Sequence, residues 1–254
     1  MLNYPPNSRF IVSKSFDDAD LVVANLEQVI SDSDKVAEKG VITAPAKAKD
    51  YLRKLGIDCV CLAQNHIHDK LNTGIEDTIS HLKSIGVGYF GAGLNLNDAE
   101  SPLHLCDNYY IIGGCTYKSY PRQVQFATST NPGVNPIDLD RIKKQVSELP
   151  PDARVILFLH WGREYLRFPN HEHLDMAKRL LDIDQVALVI GGHAHVFQGE
   201  ISCKSKKAYL CLGNFLFPNF FMRNPKIVHY PQEPVKAPVM RGFYNCGSLA
   251  YKKW

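Results

Sequence analysis

The chain has 254 residues, 45% of them hydrophobic and 22% charged, with 29 basic against 26 acidic side chains for a net charge of +3. A chain of this length buries about three quarters of its unfolded surface and needs no staples to hold a core, and its ordinary apolar content excludes intrinsic disorder. The small net charge and the lack of a basic run or aromatic-basic stripe argue against a nucleic-acid partner.

In chain order, Met1 to Phe10 is polar and lacks the apolar core of a secretory signal. No run of 18 apolar residues is present to span a bilayer. Leu21 to Ala24 reads as a short strand, Pro45 to Leu55 as a helix stopped by Gly56, and Ile57 to Ala63 as a second strand. Gly74 to Ile85 places Ile75, Ile79, Leu82 and Ile85 at helical spacing, with Gly86 as the stop. Val87 to Phe90 and Tyr109 to Ile112 return to strand. Ser119 to Asn135, with Pro121, Pro132 and Gly133, reads as a long surface loop. Asp138 to Leu149 is an amphipathic helix ended by Pro150 and Pro151. Arg154 to Leu159 is the most apolar strand, Leu174 to Leu181 is helical, and Val186 to Ile190 and Ala208 to Leu212 are further strands. The alternation predicts an α/β layered fold. It is read as a single domain over 1–254, with core motifs in 20–217 and a loop-rich segment over 218–254.

Seven cysteines cannot all pair within one chain, and no C-x2-C spacing offers a zinc site. Cys59 and Cys61 alternate within an apolar run as buried strand thiols do. A reducing, cytoplasmic setting is expected.

Polar residues cluster just after the apolar strands: Asn25 and Glu27, then Gln64, Asn65, His66 and Asp69, then His160, Trp161 and Glu164, then Gly191, Gly192, His193 and His195. Ligands of open α/β sheets gather at the carboxyl ends of strands. The G-G-H-A-H turn can aim two imidazoles at metals, imidazole being the commonest metal ligand, and His160 after another strand strengthens that reading. The Asn65 carbonyl is a neutral ligand or a turn former, and His66 an acid or anion stabiliser. Asp69, three residues on, comes within reach of His66 if the chain turns helically, and then fixes its tautomer. Glu27 is a solvated strand-end charge or a ligand bridging two metals. Glu164 binds substrate or pairs with Arg163 or Arg167. Trp161 is read as packing, Gly91-Ala92-Gly93 as a tight turn, and His68, His81, His104, His171 and His173 as solvated. No nucleophile elbow, Walker A loop, dinucleotide fingerprint or H-E-x-x-H is present.

The strings VVANLE (22–27), LAQNHIHD (62–69), GAGLNLNDA (91–99), LHWGREY (159–165), VIGGHAHVFQ (189–198) and CLGNFLF (211–217) occur in this order. Together they resemble the CapA-type proteins of poly-γ-glutamate and capsule synthesis, within the calcineurin-like metallophosphoesterase superfamily. The resemblance implies a four-layer α/β/β/α sandwich with a site at one edge for one or two divalent metals. By the same resemblance, Glu27 stands at the bridging position. Asn65, His160 and His193 serve the second metal, His195 serves the first, and His66 is the acid or oxyanion stabiliser. With the readings of Asp69 and Glu164 from the residues themselves, His66, Asp69 and Glu164 are the candidate catalytic groups. Two metals clamp substrate oxygens and activate a water; Mn, Fe and Zn all suit mixed N/O donors. The implied substrate is a small molecule or polymer precursor, anionic in character, and capsule or polysaccharide synthesis machinery is the implied partner.

Three departures stand out. Gln64 replaces an Asn of the family pattern, and NHIHDKL lacks the glycine that follows the family's Asp. An opening strand ending in Gly-Asp is missing before Asp20: Ile11 and Val12 are too short a run, and Asp17 and Asp18 lie in a polar segment. The expectation divides accordingly into a metal-dependent hydrolase, a degenerate member that binds or assembles without catalysis, and a chain whose first strand is encoded upstream of Met1.

Overall fold

Strands form where β-branched and small apolar residues run together, and helices where apolar residues recur every three or four positions. A computed structural model describes residues 16, 19–38, 41–116, 118–119 and 122–215, together with four short strands beyond them. The chain is mixed α/β, with five α-helices among the described residues. The first part holds β1 (Val23–Asn25), β2 (Val29–Ile30), β3 (Thr43–Ala44), α1 (Lys49–Lys54), β4 (Cys59–Cys61), α2 (Leu71–Ser84), β5 (Gly88–Phe90), β6 (Ala92–Gly93) and α3 (Leu96–Glu100). The middle holds β7 (Leu103–Cys106), β8 (Tyr109–Cys115), β9 (Lys118–Ser119), β10 (Arg122–Gln123), β11 (Gly133–Val134) and α4 (Leu139–Ser147). Then come β12 (Arg154–His160), α5 (His171–Leu181), β13 (Val186–Gly192), β14 (Glu200–Cys203) and β15 (Lys206–Tyr209). The strands beyond are β16 (Phe220–Phe221), β17 (Ile227–Val228), β18 (Arg241–Asn245) and β19 (Ser248–Lys252).

Two sheets organise these pieces. The smaller is parallel, in the order β1-β4-β5. The larger has six strands in the order β14-β15-β13-β12-β8-β7, parallel from β15 to β8 and antiparallel at both edges. A parallel strand covered on both faces must be apolar throughout, which is why RVILFL and VALVI lie at the centre of the larger sheet.

One buried cluster joins Val60, Cys61 and Leu62 to Ile75, Ile79 and Leu82 of α2, and also to Ile111 and Phe158 of the larger sheet. Phe90 meets Phe158 edge-on, with ring centroids 6.3 Å apart, so the two sheets touch here. A second cluster packs Ile142 and Val146 of α4 and Leu180 and Leu181 of α5 against Leu157, Leu159 and Val189. Each such side chain contributes about 1.5–3 kcal/mol of burial. Asp138 caps α4 by accepting from the backbone N–H groups of Asp140 and Arg141 at 3.1 and 3.0 Å.

Several expectations need correction. The segment read as a surface loop is, over its described later part, built into the fold: Val124, Ala127, Val134 and Asn135 are buried, and β11 pairs with β6. Turn residues there mask short pairings too brief to leave a period. Gly91 is more than a tight turn. Its φ is +82°, and a Cβ there would stand 2.9 Å from the Gly113 Cα, so glycine lets the backbones approach. Helix α2 starts at Leu71, and α5 at His171, each three residues before the expected start, because their first turns are polar. His173 is half-buried against Trp161, with ring centroids 5.4 Å apart, and His68 is half-buried beside Asn72. His171 and His104 are exposed. The readings of Met1 to Phe10, of Ile11 and Val12, of Asp17 and Asp18, and of most of 218–254 lie outside the described residues.

Candidate metal centre

The carboxyl ends of β1 and β4 from one sheet meet those of β12 and β13 from the other. Asn25 closes β1 opposite Cys61, and the Leu26 N–H donates to the Cys61 carbonyl at 3.1 Å. The buried Leu26 side chain anchors the turn that carries Glu27. Gln64, fully buried, donates through Nε2 to the Leu26 carbonyl at 2.9 Å, and its Oε1 accepts from the His66 backbone N–H. Gln64 therefore fastens the Glu27 turn to the Asn65–His66 loop.

On the larger sheet, His160 is the last residue of β12 and faces Gly192 in register. Gly191 has no room for a side chain, since a Cβ would collide with the Leu210 carbonyl oxygen. Beyond it, His193 and His195 both take left-handed backbone conformations, φ +87° and +57°, a strain that persists only where surroundings impose it. Trp161 is 1% exposed and donates to the Leu210 carbonyl, which makes it a packing residue.

These placements bring one ligand atom each from Glu27, His160 and His193 within 4.8 Å of one another. Glu27 Oε1 lies 3.7 Å from His160 Nε2 and 3.5 Å from His195 Nε2. His160 Nε2 is 2.7 Å from Asn65 Oδ1, and the His160 and His193 rings are 4.7 Å apart. His160 Nε2–H donates to that carbonyl oxygen; ligation through Nε2 would require the proton to move to Nδ1. His195 is already set for Nε2 ligation, because its Nδ1–H donates to Asn214 Oδ1 at 2.7 Å.

The electrostatics suit a cation site. Burial first, then the charge of Glu164, push the Glu27 carboxyl up from 4.5 to about 8, against a hydrogen bond from Asn25. Its Oε1 is buried and accepts no hydrogen bond, while Oε2 accepts from Asn25 Nδ2 at 3.1 Å. Burial, with His195 next, lowers His193 to about 3, and burial with His193 drives His160 well below its ordinary value. Neutral imidazoles around a carboxylate oxygen without a donor are the inventory a divalent cation needs. Glu27, His160 and His193 form a triad that can hold a metal ion, with Asn65 and His195 at its edge.

His66 stands beside this cluster with its Nδ1 2.7 Å from Asp69 Oδ2. Asp69 is fully buried and also accepts from the Ile42 backbone N–H. Glu164 is exposed, close enough for its charge to act on Glu27 and His195. Two contributors escaped the sequence reading. Asn25 stands in the strand-end cluster with no role legible in the sequence, and Asn214 lies within CLGNFLF, where the Gly-Asn pair is its one signal.

Residues 9–219 match the bacterial capsule synthesis protein family PGA_cap. The chain belongs to this family. It is 27% identical over 222 residues to the capsule biosynthesis protein CapA of Bacillus anthracis, covering 84% of this chain and 54% of that protein. The PGA_cap chain thus spans about half the length of the curated relative it matches. No helix among its described residues is long and apolar enough to cross a membrane.

Proposed function

We propose that this PGA_cap chain is a metal-dependent hydrolase of the metallophosphoesterase type, acting in capsule, poly-γ-glutamate or polysaccharide synthesis. In this reading it is a single domain whose two sheets, with helices on their outer faces, form the four-layer α/β/β/α sandwich. The observation that carries the proposal is the convergence of Glu27, His160 and His193 at the joined strand ends. These three, with Asn65 and His195, would hold one or two divalent ions, Mn, Fe or Zn. A bound cation supplies charge for developing oxyanions and a more acidic water.

The chain's own groups do the rest. Asp69 Oδ2 accepts from His66 Nδ1–H and orients the ring; when Nε2 also bears a proton, it can pass that proton to the leaving group and revert to the neutral imidazole. Asn25 holds one Glu27 oxygen so that the other faces the histidines. Glu164, on the exposed loop after β12, meets substrate or its attacking water at the rim. An anionic small molecule or polymer precursor suits a cation-charged site, and synthesis machinery would supply it. Buried free thiols at Cys59, Cys61, Cys115 and Cys211 support a reducing cytoplasmic setting.

Metal analysis of the purified protein, with phosphomonoester and phosphodiester turnover under added Mn, Fe and Zn, tests the proposal. Metal uptake with turnover is expected. A protein that stays metal-free and inert across all three metals is instead the non-catalytic binding or assembly component.

A further inference from the structure

The loop after β12 holds features that the proposed chemistry leaves unused. Tyr165 has φ +60°, a left-handed conformation that an aromatic residue adopts only under constraint. Two hydrogen bonds supply the constraint. The Tyr165 N–H donates to the Ala194 carbonyl at 2.9 Å, and Gln198 Nε2 donates to the Leu166 carbonyl at 2.8 Å. Both partners lie around the G-G-H-A-H turn. The outcome is a Tyr165 ring stacked on the His195 imidazole, with centroids 5.7 Å and planes 30° apart.

This ring is not core filler, because 54% of the residue remains exposed. What it contributes is a fixed face for His195. The hydrogen bond to Asn214 sets the His195 tautomer, and the His193 ring lies 6.2 Å away. The stacked Tyr165 face adds a boundary from the loop after β12 and favours the orientation in which Nε2 lies 3.5 Å from Glu27 Oε1. We infer that Tyr165 is a positioning residue of the metal centre, its backbone held left-handed so that its ring can orient His195. The inference rests on the reading of His195 as a metal ligand.

Two substitutions in the full chain test it. Y165G removes the ring while relieving the left-handed constraint; Y165F keeps the ring. Zn2+ and Mn2+ titration calorimetry is paired with urea unfolding in EDTA and with imidazole 15N spectra of the metal-free proteins. Y165G is expected to be as stable as wild type or more so, to lose about 10–100-fold in metal affinity, and to shift the His195 ring signals. Y165F is expected to bind within about twofold of wild type, the scale of a change that leaves the supporting contact in place. Undiminished metal affinity in Y165G overturns the inference while leaving the metal centre standing. A Y165G protein that is both unstable and weak in binding overturns it too, since the ring is then merely structural. A wild-type protein that takes up no metal defeats the underlying reading, and the inference with it.

Discussion

Glu27 offers the sharpest quantitative test, because its carboxyl is neutral where a ligand must be charged. Its value rises from 4.5 to about 8 on folding. A raised acid binds its proton more tightly in the folded state, so its stabilising effect is complete below 4.5 and is lost as pH climbs through 8. At about 1.4 kcal/mol per pH unit, the ceiling on that loss is roughly 5 kcal/mol, with about 3 kcal/mol reached by pH 7. Substituting E27Q removes the titration. Urea unfolding in EDTA at pH 5, 6, 7 and 8 should show the stability of E27Q gaining on wild type by about 3–4 kcal/mol across that range. His160 and His193, whose values are lowered, act in the opposite sense through 6.5 and are present in both proteins; the difference therefore isolates Glu27. Adding Zn2+ or Mn2+ should reverse the ranking, with wild type gaining more as pH rises and E27Q gaining little. Parallel wild-type and E27Q curves in EDTA would refute the burial argument for this carboxyl.

Other substitutions separate roles within the site and the scaffold. H193A and N65A should abolish or cut metal uptake at least tenfold, read by calorimetry, whereas H66A should retain metal and lose about 10²–10⁴-fold in turnover. D69N, which disturbs the His66 tautomer, should lose turnover with metal content unchanged; full activity in D69N sinks the dyad. G191A should destabilise the metal-free protein by about 2 kcal/mol or more, since a methyl group meets the Leu210 carbonyl, and an unchanged urea midpoint contradicts that packing. D138A should cost about 1 kcal/mol through loss of the α4 cap, measured by thermal unfolding with no effect on metal binding.

Much of the site is legible in the sequence for a simple reason. His160 and the His193–His195 pair each terminate a short, wholly apolar run, and a polar residue at such a point must face the sheet's edge. Asn65 and Glu27 follow the same logic on the second sheet. What stays hidden depends on contacts between distant segments. Asn214 acts on His195 from nineteen positions away, and Tyr165 acts through a backbone conformation that no propensity marks. Gln64 ties the two loops of one half-site together through contacts with Leu26 and His66. The strand pairings within 124–135 escaped for a different reason, since two-residue strands carry no period.

The division of the proposed ligands between two sheets would have a mechanical consequence. Glu27 and Asn65 follow strands of the smaller sheet, and His160 and His193 follow strands of the larger one. The sheets already meet through Phe90, Phe158 and the shared cluster beneath the site. Their joined edge holds a carboxyl that resists ionisation and imidazoles that resist protonation. An ion shared by both halves would cross-link that edge, its binding free energy adding to the stability of the pair rather than to one sheet. Glycine at 191 and the left-handed histidines then make physical sense together. If His193 and His195 serve as proposed, the left-handed backbone at one sheet edge delivers groups that residues of the other sheet would complete.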